Sequence, residues 1–144
     1  MNATLKKFGY PETLIKDYRH WVVLLRPQQV TLGALVLVCK DEVDAFSKVS
    51  CEAYSELKIV TAAIEQHLDE CFSYDKINYL MLMMVDRDVH FHVLPRYAQA
   101  QLFDGYKFTD PGWPGPPDLA CCHEPGKIVT RRLVQKIRDI FTGE

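Results

Sequence analysis

Ten residues near the middle of the chain, from Asp88 to Tyr97, constrain the fold more than any other stretch, because polar and apolar side chains alternate along them. Successive side chains of a β-strand point to opposite faces of the sheet. Asp88, His90 and His92 would therefore share one face, and the apolar residues between them the other. The pattern predicts a strand with one apolar face and one polar face that carries candidate site residues.

Short apolar runs predict the other strands of a sheet. Residues 20–25 and 34–39 are rich in strand formers and predict a hairpin, and residues 12–17 predict a weaker strand. Residues 77–85 are apolar at most positions, which predicts a central strand covered on both faces. Asp86-Arg87 would then make a tight reversal into the histidine strand.

Between these strands the apolar residues recur at steps of three and four, which predicts one long helix. Ser50 is its expected N-cap, and His67 falls off the apolar stripe, which predicts a solvated position. The stripe comprises Ala53, Leu57, Val60, Ile64, Leu68 and Cys71.

The last part of the chain has a different composition. Residues 98–126 hold five of the eight prolines and predict a long Pro/Gly-rich loop without regular elements. Trp113 in this loop either stacks on a base or anchors the loop to the core. The periodicity of residues 127–141 predicts an amphipathic C-terminal helix.

Length and charge narrow the class of protein. With 144 residues, 48% of them hydrophobic, residues 1–144 fit one domain with a sizeable core. The net charge of -2 excludes an electrostatic footprint for long nucleic acid. No signal peptide or membrane span is recognisable, which predicts a soluble cytoplasmic protein.

The five cysteines are odd in number and lack a framework spacing, so free thiols are expected. The Cys121-Cys122-His123 triplet lacks the two-residue spacer of usual zinc hooks.

The polar row of Asp88, His90 and His92 is compatible with three kinds of chemistry. A histidine whose second ring nitrogen is hydrogen-bonded can attack phosphorus, with its neighbour binding the phosphoryl oxygens. An Asp-x-His-x-His row can also ligate zinc or iron, since carboxylate and imidazole are suitable ligands. The third possibility is a pair of hydrogen-bonded structural histidines.

The stretch 89–96, Val-His-Phe-His-Val-Leu-Pro-Arg, resembles the signature of the histidine triad (HIT) superfamily. That motif reads His-x-His-x-His-x-x, with x apolar, and Pro-Arg often follows it. The order of predicted elements is similar along most of the chain: Gly33 matches the turn glycine and Asn78 the residue that opens the fourth strand. Asp88 occupies the place of the first histidine.

The resemblance implies an α+β fold: an antiparallel sheet of about five strands, one long helix packed on it and a C-terminal helix. It implies a phosphohydrolase or nucleotidyl transferase that acts on dinucleoside polyphosphates, nucleoside phosphoramidates or related nucleotides. His90 would be the nucleophile that becomes nucleotidylated, and His92 would contact the phosphate. Arg26, Asn78, Asp88 and Arg96 are the candidate nucleotide- or phosphate-binding residues.

The implied mechanism requires no metal or cofactor, although Mg²⁺ commonly accompanies polyphosphates. The implied partners are a small nucleotide and a second copy of the chain, since the family usually forms homodimers. A nucleotide-binding protein with the same fold and little or no turnover is the alternative.

Overall fold

Five strands form one antiparallel sheet in the computed structural model, which describes residues 3–143. The strand order is β1-β2-β3-β5-β4. The strands are β1 (Leu14–Asp17), β2 (Trp21–Leu25), β3 (Leu35–Cys39), β4 (Lys76–Leu80) and β5 (His90–Arg96). The α+β fold with about five strands is therefore confirmed, as is the β2–β3 hairpin.

Two long helices accompany the sheet, α2 (Cys51–Phe72) and α3 (Lys127–Thr142), and a short helix, α1 (Ala3–Lys7), precedes it. The side chain of Ser50 accepts a hydrogen bond from the Ala53 backbone N–H, so the predicted N-cap is confirmed. On the face of the sheet towards α2, Trp21 is fully buried and its Nε1 donates to the Ala53 carbonyl at 2.8 Å. This contact joins β2 to the first turn of α2.

His67 is buried, and the predicted solvated position is wrong. Its ring packs edge-on against Phe141 of α3, with 4.7 Å between the ring centroids. The apolar stripe of α2 faces the sheet, whereas α3 covers a neighbouring side of the same helix. The spacing of apolar residues along α2 predicts its contact with the sheet but not its contact with α3.

The strand predicted over residues 77–85 is shorter than expected and lies at the edge of the sheet. It ends at Leu80 and pairs with β5 alone, so the prediction of a central strand covered on both faces is wrong. Met84 and Val85 are 86% and 81% exposed. The connection to β5 therefore spans residues 81–89 and is not a tight reversal at Asp86-Arg87.

The segment 98–126 contains a β-hairpin. The sequence pattern predicted a loop without regular elements here. Strands β6 (Gln101–Phe103) and β7 (Tyr106–Phe108) pair antiparallel across a two-residue turn. Asp104 and Gly105 both have positive φ angles, 55° and 81°, as a type I′ turn requires. The Asp-Gly dipeptide was the signal for this hairpin.

The opposite face of the sheet is covered by the N-terminal segment. Leu5 and Phe8 pack against the side chains of β2 and β3 that point away from α2, namely Val22, Leu24, Val36 and Val38. The sheet therefore lies between α2 on one side and α1 with Phe8 on the other. Within residues 3–143, no helix is long and apolar enough to cross a membrane.

Candidate functional site

His90 and His92 lie on the sheet face that the N-terminal segment covers. In the β3–β5 pairing, His90 is opposite Val38 and His92 is opposite Val36. Residues directly opposite each other in an antiparallel pair project to the same face, and both valines belong to the cluster with Leu5 and Phe8. The two imidazole rings are nearly perpendicular, with 5.2 Å between their centroids.

His90 has one ring nitrogen fixed by the main chain. Its Nδ1 lies 2.7 Å from the backbone carbonyl oxygen of Asp88. A carbonyl oxygen only accepts hydrogen bonds, so Nδ1 carries the proton and Nε2 of the neutral ring keeps its lone pair. The side chain is buried, with only 2% of the residue exposed. The geometry therefore prepares Nε2 as a nucleophile or base.

His92 is held in the neutral form. Burial, and to a smaller extent the positive charge of Arg26, lower its pKa from 6.5 to about 4. Its buried Nδ1 has no hydrogen-bond partner within residues 3–143. A neutral imidazole with an unused ring nitrogen can donate to or accept from a ligand.

Arg26 directly follows β2, and its guanidinium lies against the same Phe8 ring that contacts both imidazoles. Its Nη1 donates to the Gln28 carbonyl at 2.6 Å, and its guanidinium carbon is 6.0 Å from the centroid of the Phe8 ring. Burial lowers the pKa of this guanidinium from its usual value. The structure thus brings Arg26, His90 and His92 together.

Asp88 lies two residues before β5, which begins at His90. Its carboxylate contacts α1, which covers the same face of the sheet as the histidines, and the row of three side chains remains a prediction. One carboxylate oxygen, Oδ2, accepts hydrogen bonds from the backbone N–H of Thr4 at 3.2 Å and from its hydroxyl at 2.8 Å. Asp88 thus touches the site through its carbonyl group, while its carboxylate is bound to α1.

Arg96 and Asn78 lie further along the sheet. Arg96 is four residues beyond His92, which corresponds to about 13 Å along a strand. The Arg96 guanidinium binds both carboxylate oxygens of Asp110, at 2.7 and 3.0 Å, and the Asn78 side-chain oxygen at 2.7 Å. Together with Trp113, these two residues line a cavity of about 440 Å³. The structure joins Arg96 to Asn78 and not to the histidine pair.

The N-terminal segment supplies residues that the sequence pattern did not reveal. The Phe8 ring lies against both imidazoles, with 6.3 Å to the centroid of His90 and 5.9 Å to that of His92. Lys7 forms an ion pair of 2.9 Å with Asp86. The spacing of Leu5 and Phe8, two apolar residues three positions apart, predicts a short helical turn. It does not predict which surface of the protein these residues cover.

The described residues offer no preformed multidentate metal site. Among residues 3–143, no group of three or more His, Cys, Asp or Glu side chains could hold a metal ion. The Asp88 carboxylate is hydrogen-bonded to Thr4 through Oδ2. All five cysteines are free.

No protein-family model matches the sequence, and a search among curated proteins finds no match.

Solved structures of histidine triad proteins resemble this chain over nearly its whole length. A histidine triad protein from Marinobacter aquaeolei VT8 has a TM-score of 0.77 at 19% identity, covering 99% of this chain and 98% of its own. A HIT protein from Sinorhizobium meliloti 1021 has a TM-score of 0.75 at 19% identity, covering 96% and 94%. A hypothetical histidine triad nucleotide-binding protein from Sulfolobus tokodaii has a TM-score of 0.68 at 15% identity. The match covers 91% of this chain and 84% of that protein.

Proposed function

We propose that this protein, which has the fold of the histidine triad proteins, binds a nucleotide and hydrolyses or transfers its nucleotidyl group through His90. The observation that carries the proposal is the hydrogen bond between His90 Nδ1 and the Asp88 carbonyl, which leaves Nε2 as the nitrogen with a free lone pair. The likeness to a Sulfolobus tokodaii protein described as nucleotide-binding supports the substrate class.

The proposed reaction has two displacements at phosphorus. His90 Nε2 attacks the α-phosphorus; the Nε2–P bond forms as the P–O or P–N bond to the leaving group breaks, and the leaving group departs with the bonding electrons and takes a proton from solvent. A water then attacks the same phosphorus, the Nε2–P bond breaks with its electron pair returning to Nε2, and the water gives one proton back to solvent. The products are a nucleoside monophosphate and neutral His90. In transfer, another nucleophile replaces the water.

We propose that His92 and Arg26 bind the phosphoryl oxygens. The unused Nδ1 of His92 would gain a partner when a phosphoryl oxygen arrives. Because the pKa of His92 is about 4, its contribution at neutral pH is a hydrogen bond and not a charge. Arg26 would supply the positive charge close to that position.

Asn78, Arg96 and Asp88 fit positioning roles in this proposal. The guanidinium of Arg96 is already bound by Asp110 and Asn78 and would shape the end of the site rather than grip a phosphate. Asp88 would act through its carbonyl. The position of Trp113 beside Arg96 is compatible with both base stacking and loop anchoring.

The proposed chemistry needs no resident metal or cofactor, and Mg²⁺ would enter with a polyphosphate substrate. A cytoplasmic location agrees with five free thiols, which persist in reducing compartments. We also propose a homodimer, supported by the unpaired outer edge of β4 and the exposed apolar residues that follow it.

A second candidate function is nucleotide binding with little or no turnover. The observation that favours it is the closure of the site: His90 is 2% exposed and lies under Phe8. An enzyme with a permanently covered nucleophile would retain the fold without efficient catalysis.

The two candidates are separated by incubation with adenosine phosphoramidate and diadenosine polyphosphates. We expect release of AMP and, in a rapid quench, a nucleotidyl group on the peptide that contains His90. His90→Ala should lose both signals, whereas the matched substitution His20→Ala, at the start of β2, should keep them. Equal AMP release by wild type and His90→Ala would contradict the enzymatic proposal, and retained AMP binding would then favour the second candidate.

A further inference from the structure

The segment from residue 3 to 8 closes over the histidine pair. It consists of α1 and Phe8, and the Phe8 ring contacts both imidazoles. Leu5 and Phe8 are each only 7% exposed, because they pack into the apolar cluster of the same sheet face. The proposed nucleophile is therefore shielded by a part of its own chain.

Three cavities of the molecule lie away from the histidines. Small-molecule sites usually occupy several hundred Å³. Cavities of about 630, 490 and 440 Å³ lie within residues 3–143, and neither His90 nor His92 lines any of these three. Because His90 is only 2% exposed, a nucleotide reaches its ring only if a covering element moves.

Two polar contacts join the segment to the connection before β5. Thr4 donates twice to the Asp88 carboxylate, and Lys7 forms an ion pair with Asp86. Both acids belong to the connection that leads into the histidine strand. The Lys7 and Asp86 side chains are 48% and 18% exposed, so water and incoming anions can compete for this contact.

The chain just beyond the segment is held by Thr13, whose backbone N–H donates to the Gly9 carbonyl at 3.3 Å, which places the pivot at Gly9. The Thr13 hydroxyl also donates to the Phe8 carbonyl at 2.7 Å, a contact that breaks when the segment moves. Gly9 has a φ of +86°, a conformation that side-chain-bearing residues rarely adopt. A swing of residues 3–8 would therefore turn about Gly9 and leave β1 in place.

We propose that residues 3–8 form a lid that Asp88 and Asp86 hold shut over His90 and His92, and that a nucleotide phosphate opens it by competing with Asp86 for Lys7. The identity of the ligand rests on the proposed function; the closure of the lid does not. Asp88, in the place of the first histidine of the motif, is thus the residue that latches the lid.

The lid is tested by the rate at which diethyl pyrocarbonate labels each histidine, measured by peptide mass spectrometry. The latch variants are Thr4→Val, which removes the hydroxyl donor, and Lys7→Ala, which removes the ion pair. Lys6→Ala is the matched control, because Lys6 lies exposed on the same helix. His20, outside the lid, is the internal reference. The association rate of AMP is measured on the same proteins by stopped flow.

We expect slow labelling of His90 in the wild type and an increase of about five- to tenfold in both latch variants, since each loses one polar contact. His20 labelling and the Lys6→Ala protein should match the wild type. His90 labelling that is equal in the wild type, Lys6→Ala and the latch variants would overturn the lid. Faster His90 labelling in the latch variants without AMP binding would support the lid and refute the nucleotide function. AMP binding with unchanged His90 labelling would refute the lid and support the nucleotide function.

Discussion

Two histidines on one strand face have different surroundings, and these give them different chemistry. His90 donates from Nδ1 to a main-chain carbonyl, which defines the nitrogen that is free to react. His92 has no such partner within residues 3–143, and burial beside Arg26 favours its neutral form. The proposed roles of an attacking and a supporting histidine rest on these two different environments.

The low pKa of His92 makes stability depend on pH. The unfolded chain binds a proton at His92 below about pH 6.5, whereas the folded protein binds it only near pH 4. Folding stability is therefore fully present above pH 6.5 and falls as the pH drops from 6.5 to 4. Because the ring is only partly buried and solvent screens it, we expect this residue to account for about 1–2 kcal/mol of the loss.

Urea unfolding across this pH window measures the effect. His92→Gln should flatten the slope, and His20→Gln should leave it unchanged. Equal slopes for the wild type and His92→Gln would contradict the assignment.

At the level of elements, β5 connects two separate parts of the molecule. Its first residues carry the histidine pair under α1, and its last residue, Arg96, is tied to the segment after β7 by Asp110. The Arg96 and Asp110 side chains are 4% and 1% exposed, and Asp110 also accepts from the Tyr97 backbone N–H. This buried pair fixes the proline-rich segment against the end of the sheet.

Asp110→Ala should be strongly destabilising, by about 3–5 kcal/mol, because it leaves the guanidinium of Arg96 buried without its counter-charge. The same substitution at Asp44, whose partner Lys48 is exposed, should leave stability nearly unchanged. Chemical denaturation of the two variants gives the comparison. If Asp110→Ala lowers the free energy of unfolding as little as Asp44→Ala does, Arg96 becomes hydrated when its partner is removed.

Most elements were predictable from local patterns, and the errors share a physical cause. The three-four periodicity of α2 predicts which side of the helix is buried, and this is confirmed. Alternation along β5 predicts the strand but not its burial, because His90 and Arg96 are buried whereas Phe91 is only partly buried. Neither pattern tells which element does the covering. That information lies in tertiary packing, which is why the burial of His67, the edge position of β4 and the placement of Phe8 over the histidines were not predictable.

Within residues 3–143, the β4 edge of the sheet is left without a partner strand. At the β1 edge, Arg138 of α3 donates to the Leu14 carbonyl through Nε and Nη2, which caps part of that edge. At the β4 edge, the described residues provide no further strand, and the exposed apolar residues Leu82, Met84 and Val85 follow directly. Unpaired strand edges and exposed apolar patches favour association.

We expect a dimer of twice 16.6 kDa in size-exclusion chromatography with light scattering. Leu82→Lys combined with Met84→Lys should shift the protein to the monomer, because two charges would enter the proposed interface. Ile59→Lys, at an equally exposed apolar site on α2, should leave the mass unchanged. A wild-type protein that remains at 16.6 kDa at high concentration would refute the homodimer.

The acceptor that orients His90 is a main-chain atom, and every amino acid at position 88 would supply the same atom. Exchange of residue 88 therefore retains the acceptor that orients the His90 ring, whereas the side chain at this position determines the contact with Thr4. A motif search that insists on three histidines would reject chains in which this nitrogen is still correctly prepared.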